Sequence, residues 1–171
     1  MMIGTGRAYL KLSLIQYNKQ KLLYRTAEFL DGVIYMTIIA NNFTKITVEK
    51  KGSAKGKISI SNNVSIDNVE KTELAVGASK QSALKFDFEF VSKYEPKVGE
   101  IILNGELLFL EKPEKVAEIA NEWKKSKKVP KEVMAPLLNS ILTKCNIEAL
   151  LLSREINLPP PVQLPRVTVK K

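Results

Sequence analysis

The strongest constraint in this sequence lies near its C-terminal end, where an apolar helical pattern runs into a cluster of prolines. Leu137, Leu138, Ile141, Leu142, Cys145, Ala149, Leu150, Leu152 and Ile156 recur at helical spacing and make a broad apolar surface. The chain then reads Asn157-Leu158-Pro159-Pro160-Pro161-Val162-Gln163-Leu164-Pro165-Arg166-Val167. Proline fixes φ and has no N–H, so this run stops the helix and favours an extended, polyproline-like course. A helix with so wide an apolar face has to cover something, and a stiff arm beyond it reaches a second surface. The pattern points to contact, not catalysis.

Upstream, the period changes from helical to two. Ala8 to Leu14 alternates, with Ala8, Leu10, Leu12 and Leu14 on one face. Leu22 to Phe29 is a second, less regular strand. Asp31-Gly32 signals a turn before Val33 to Ile39. Asn41-Asn42 is read as a break before Phe43 to Val48, and Gly52 to Gly56 as a bend before Lys57 to Ile60. Ser61 to Ala83, polar and turn-like, is read as a loop or a short irregular element. The clearest alternation follows: Phe86, Phe88 and Phe90 interleave with Lys85, Asp87 and Glu89, an aromatic face backed by a charged one. Glu100 to Leu110 places Ile101, Leu103, Leu107 and Phe109 to one side, interrupted by Asn104-Gly105, which suits a type I′ hairpin turn or a bulge in one long bent strand; the bulge is favoured, because Glu100 to Leu103 would make a very short separate strand.

The helices begin near Lys112-Pro113-Glu114. Val116, Ile119, Ala120 and Trp123 sit at helical spacing, and Pro130 opens the second helix. The expected fold is therefore α+β: an antiparallel β-sheet body over residues 1–110, then two helices and a proline-rich extended tail over 111–171, all in one domain.

Composition excludes whole classes of chemistry. The chain of 171 residues has no histidine, which removes the commonest proton shuttle and imidazole ligand. Its one cysteine, Cys145, rules out an internal disulfide and fits a reducing cytoplasm. That cysteine lies within the apolar helical pattern and is read as a small buried hydrophobe. Glu111, Glu114 and Glu118 cluster near a helix start, where the helix dipole already accounts for them. No cofactor, metal site or enzymatic activity is expected. No run approaches the roughly 20 apolar residues of a membrane span, and Met1 to Arg7 lacks the apolar core of a signal peptide.

Charge supplies the positive signal. The net charge is +9, and it is uneven. Residues 1–60 hold ten Lys/Arg against three Asp/Glu, residues 61–110 five against eight, and residues 111–171 twelve against seven. Such asymmetry suits a nucleic acid, a ribonucleoprotein or an acidic protein. Two basic clusters are candidate nucleic-acid contacts. Lys11, Lys19, Lys21, Tyr24 and Arg25 mix basic and aromatic side chains, as stacking surfaces do. Lys124, Lys125, Lys127 and Lys128 surround the turn between the helices. Only four basic residues are Arg, so sequence-specific base readout is not indicated, and lysine enrichment also fits a heat-adapted surface.

The order of elements resembles that of the SecB family of protein-export chaperones. Glu100 to Leu110 is similar to the family's last strand, and Leu158 to Val167, with Pro159, Pro160 and Leu164, to its proline-bearing segment. The resemblance covers residues 84–167. It implies a four-stranded antiparallel sheet followed by two helices, assembly through dimers into tetramers, and capture of polypeptide clients. The chain departs from the family in its basic charge and in placing the prolines after the long helix.

Two readings result. In the first, the chain is a non-enzymatic basic protein that associates with nucleic acid or a ribonucleoprotein. In the second, it is a chaperone-like scaffold that binds polypeptides through apolar grooves lined by Phe86, Phe88, Phe90 and the helix-tail surface. Either suits a homodimer or dimer of dimers joined through Leu137, Ile141, Leu152, Leu158, Val162, Leu164 and Val167, with intramolecular core as the competing role for Leu137 and Ile141. Arg166, Lys170 and Lys171 are expected to face solvent.

Overall fold

The computed structural model describes residues 37–52, 56–76 and 79–165. Four strands come first: β1 (Thr37–Lys50), β2 (Ser59–Val76), β3 (Ser79–Glu95) and β4 (Gly99–Leu110). Two helices follow, α1 (Pro113–Ser126) and α2 (Lys131–Glu155). The fold is α+β, as the order of periodicities predicts. The strands form one sheet in the order β1-β4-β3-β2, so β1 and β2 are its edges. β2, β3 and β4 form an antiparallel meander. β1 is antiparallel to β4 as well: Glu49 O lies beside Gly99, and Asn42 O beside Gly105. The readings at Ala8 to Leu14 and Leu22 to Phe29 lie outside the described residues, as does most of Val33 to Ile39.

One face of the sheet carries the core. Phe86, Phe88 and Phe90 of β3 are at most 1% exposed, and Leu84 and Tyr94 extend their row. Ile101, Leu103, Leu107 and Phe109 of β4 lie on the same side and are equally buried. Phe86 and Phe109 meet edge to face at 6.2 Å between centroids. α1 covers this face over β2 and β3 with Val116, Ile119, Ala120 and Trp123. α2 covers it over β3 and β4 with Val133, Leu137, Ile141, Cys145, Ala149 and Ser153, a stripe of strict four-residue spacing. The opposite face is mixed: Val91, Ile102, Leu108 and Leu110 lie half-buried on it among charged and polar side chains. Lys85 sits between Glu70 (2.7 Å) and Asp87 (3.7 Å), and Asn104 donates to Glu89 Oε2 at 3.1 Å.

Three local expectations are corrected. The Ser61 to Ala83 stretch is not a loop: β2 and β3 run through it, with Val76 opposite Ser79. Its serines and asparagines belong to an edge strand with little to bury, so cross-strand pairing overrides weak propensity. Asn41-Asn42 does not break β1. Asn41 instead donates its side-chain amide to the Ser140 carbonyl and hydroxyl on α2, both at 3.3 Å. Asn104-Gly105 is not a bulge, since the β3–β4 register passes through it without a shift. The irregularity lies in β2, between Ile66 and Asn68, where Asp67 bulges and the alternation changes parity.

Gly105 is glycine for want of room. A Cβ there would run into the Phe88 ring and stand 2.5 Å from Asn42 O. Phe88 is itself buried, so the ring has nowhere to go. Gly105→Ala is expected to destabilise the fold by about 1–3 kcal/mol, the cost of overpacking a close-packed core. The midpoint of urea unfolding measures it; an unchanged midpoint would contradict this packing.

Candidate functional site

The end of α2 sets the course of the tail. Ile156 caps the helix, and Asn157 takes the left-handed conformation at φ 53°, which Asn tolerates better than most residues. Asn157 N–H donates to Arg154 O (3.2 Å) and Leu158 N–H to Ser153 O (2.8 Å). These two bonds make a Schellman motif with asparagine in the usual glycine position. Lys50 Nζ donates to Asn157 O at 3.0 Å and ties the turn to β1. Leu158 is then buried against Gly99, whose missing Cβ leaves room for it.

Beyond Leu158 the prolines cross the start of β2. Asn62 Nδ2 donates to Pro161 O at 2.9 Å, and Pro161 is buried. Val162 is half-buried, whereas Gln163, Leu164 and Pro165 are exposed. Between Pro159–Pro165 and the side chains of Ile58 and Ile60 lies a groove of about 980 Å³. A smaller cavity of about 480 Å³ continues past Ile58 and Pro159 toward Val98 and Lys50. The groove walls combine proline rings and branched aliphatic side chains with Gln163 and backbone polar groups, and the lining exposes as much polar as apolar surface with no charged residue among it.

Beneath the tail lie three buried hydroxyls, on Ser92, Tyr94 and Ser153. Burial pushes the Tyr94 phenol up, and the neighbouring Ser92 and Ser153 hydroxyls oppose that shift. Ser153 donates to Leu150 O at 2.8 Å. Nothing here activates a nucleophile, because no base is in reach. Among the described residues no group of three His, Cys, Asp or Glu is placed to hold a metal ion, and no helix is long and apolar enough to cross a membrane. Cys145, the one cysteine of the sequence, is a free thiol.

The sequence-predicted sites fare unevenly. Lys11, Lys19, Lys21, Tyr24, Arg25, Arg166, Val167, Lys170 and Lys171 lie outside the described residues. Lys124, Lys125, Lys127 and Lys128 are all exposed at the α1–α2 turn, and none pairs with a carboxylate among the described residues. Lys127, left-handed at φ 55°, holds its ammonium 5.1 Å from the Trp123 ring centre. Leu137 and Ile141 are fully buried in the chain's own core, which leaves them no surface for a partner. Leu158 is nearly so, at 6% exposed. Leu152 and Val162 are half-buried, and Leu164 is 48% exposed. Phe86, Phe88 and Phe90 line no groove, because both helices cover them. The groove that exists uses Ile58 and Ile60, which sequence reasoning placed only in a short strand. Ile147 and Leu151, exposed one turn apart on the outer side of α2, were missed as well.

No family model matches the sequence, and no curated protein does. Among solved structures, the chain has a weak structural resemblance to a Mycobacterium tuberculosis SecB-like chaperone in complex with a ChAD peptide from the HigA1 antitoxin. The TM-score is 0.46 at 11% sequence identity, over 80% of this chain and 93% of that one.

Cys145 is fully enclosed by α2 and the sheet, and burial pushes its thiol up to about 12. The folded thiol is therefore protonated and inert at pH 8. A disulfide-exchange reagent should label it at under a hundredth of the rate seen in denaturant; rapid native labelling would contradict the burial. The same shift makes stability fall as pH climbs from about 9 toward 12. There the unfolded thiol ionises while the folded one keeps its proton.

Proposed function

We propose that this chain is a non-enzymatic scaffold that binds extended polypeptide segments in the groove between the start of β2 and the proline tail. The observation that carries the reading is the groove itself: open, about 980 Å³, and walled by Ile58, Ile60 and Pro159–Pro165 without a charge. The apolar part of these walls, Ile58, Ile60, Val162, Leu164 and the proline rings, gains by being covered, about 25 cal/mol per Å² of apolar surface removed. A stiff proline wall loses little entropy when a guest is seated, so the groove is preorganised. Leu164 lies at the mouth with about half its surface free. The same outward apolar surface, together with Ile147 and Leu151 on α2, supports self-association of the chain in a reducing cytoplasm.

A second reading has one specific observation behind it. Lys124, Lys125, Lys127 and Lys128 form an exposed cluster with no acidic partner among the described residues, which suits a nucleic-acid backbone. The cluster displays no exposed aromatic ring, since Trp123 is 5% exposed, so base stacking has no platform there. Contact with RNA at this turn would be electrostatic alone.

Fluorescence anisotropy with a reduced, carboxymethylated protein that cannot refold separates the two. Leu164→Asp should weaken its binding at least 5-fold, while unfolding stability stays within about 0.5 kcal/mol, as for an exposed position. The quadruple change of Lys124, Lys125, Lys127 and Lys128 to Gln should leave that binding within about 2-fold at 0.15 M salt, where surface charges are screened. If the lysine changes abolish binding and Leu164→Asp does not, the groove reading is wrong. Steep salt-dependent binding of an RNA oligonucleotide by the unaltered chain, lost in the quadruple variant, would favour the second reading.

A further inference from the structure

β2 is an edge strand of 18 residues, and its two halves differ in kind. After the bulge at Asp67 the strand carries Asp67, Glu70, Lys71 and Glu73, and Lys85 draws Glu70 into an ion pair. Charges and bulges of this sort are how an edge is kept from pairing with another chain. The first half, Ser59 to Ile66, has none of these devices. It holds no charge, no proline, no glycine and no bulge over eight residues.

In an antiparallel ladder only alternate residues of a strand bond to a given neighbour. Among the described residues β2 pairs with β3 alone, so the other N–H and C=O groups of Ser59 to Ile66 point off the sheet. This unguarded stretch lies beside the groove, which Ile60 lines and which Asn62 anchors by holding Pro161. The tail cannot complete the ladder itself. Pro159, Pro160, Pro161 and Pro165 have no N–H to donate, and the tail follows no strand path. It stands as a wall over one face of a strand whose outer edge pairs with no other strand among the described residues.

We infer that the guest polypeptide is held by strand addition: it pairs as a fifth strand along Ser59 to Ile66 and inserts alternate side chains into the groove. This rests on the groove reading and adds a backbone requirement to it. Main-chain bonds supply affinity without regard to sequence, and the groove selects apolar residues at every second position. The fitting partner is an extended segment alternating apolar with small polar residues, free of charge over about eight positions, the length of the unguarded edge. The charge-free edge and the charge-free groove both match that chemistry.

The test uses the full chain and a fluorescein-labelled decapeptide of alternating valine and serine with a glutamate at each end. Two forms of it carry N-methyl groups on alternate residues, one on the odd positions and one on the even. Only the N–H groups directed at β2 matter, so one form should bind at least 10-fold more weakly, and the other within about 3-fold of the parent. Native-state amide exchange should show alternate amides of Ser59 to Ile66 unprotected in the free chain and slowed at least 10-fold by the parent peptide. Equal binding of both methylated forms, with Leu164→Asp still weakening the parent, would overturn strand addition and leave the groove intact. No binding of the parent peptide up to millimolar concentration would also overturn it. So would full protection of Ser59 to Ile66 in the free chain, or protection that rises with protein concentration alone, which would make a second copy the occupant of the edge.

Discussion

The helical layer depends on the row of phenylalanines along β3. Phe86, Phe88 and Phe90 are at most 1% exposed, and burial of each contributes about 1.5–3 kcal/mol. Between them stand Lys85, Asp87 and Glu89. A slip of one residue in the ladder would drive three charges under the helices and lift three rings into water. That alternative is so costly that it fixes the register of β3 against β4, and with it the matching row Ile101, Leu103, Leu107 and Phe109. Once both rows face one way, the helices have a floor to cover.

α2 answers that floor with residues four apart, from Val133 to Ser153. Four helical residues turn roughly 400°, so this stripe drifts by about 40° per step around the helix. Such a drifting stripe follows a twisted surface better than a straight one does, and a β-sheet twists. The same helix carries Lys144, half-buried, which donates to Asn41 O and lies 4.6 Å from the Phe43 ring centre. β1 is thus tied to α2 through side chains as well as to β4 through its backbone. Asn41 is a structural part of the α2 contact.

How much of this was legible follows from what each residue has to bury. β3, β4 and both helices each put a full apolar face against the core, and their periods read cleanly. β2 does not, because an edge strand buries little, and its serines and asparagines mimic a loop. Asn104-Gly105 carries the commonest hairpin signal, yet the glycine is there because the Phe88 ring fills the space. The tail's prolines were plain in the sequence, but not their destination. Asn62 and Pro161 meet across 99 positions of chain, and no local pattern announces such a contact. The lysine cluster at the α1–α2 turn was legible because exposure is the default for lysine. What it contacts is a separate matter, since a pattern of exposed charge looks the same facing water or a partner.

Charge and apolar surface are divided between different parts of the chain, and the division limits what each can do. On the sheet face away from the helices, Glu70, Asp87 and Glu89 have partners within the chain: Lys85, Asn68 and Asn104. The groove has no charge at all. The positive excess stands out at the α1–α2 turn, where lysines lack such partners among the described residues. At 0.15 M salt a charge is felt over about 8 Å, so a lysine cluster acts on a guest mainly as it approaches. On the proposed reading it would raise the rate of encounter with a guest that carries acidic residues outside the groove-bound segment more than it would hold it. On the same reading, residence would fall to the contacts that exclude water, the aliphatic and proline walls of the proposed groove. A basic chain of this construction needs no sequence-specific ligand to account for its charge, because steering and holding are tasks for different surfaces.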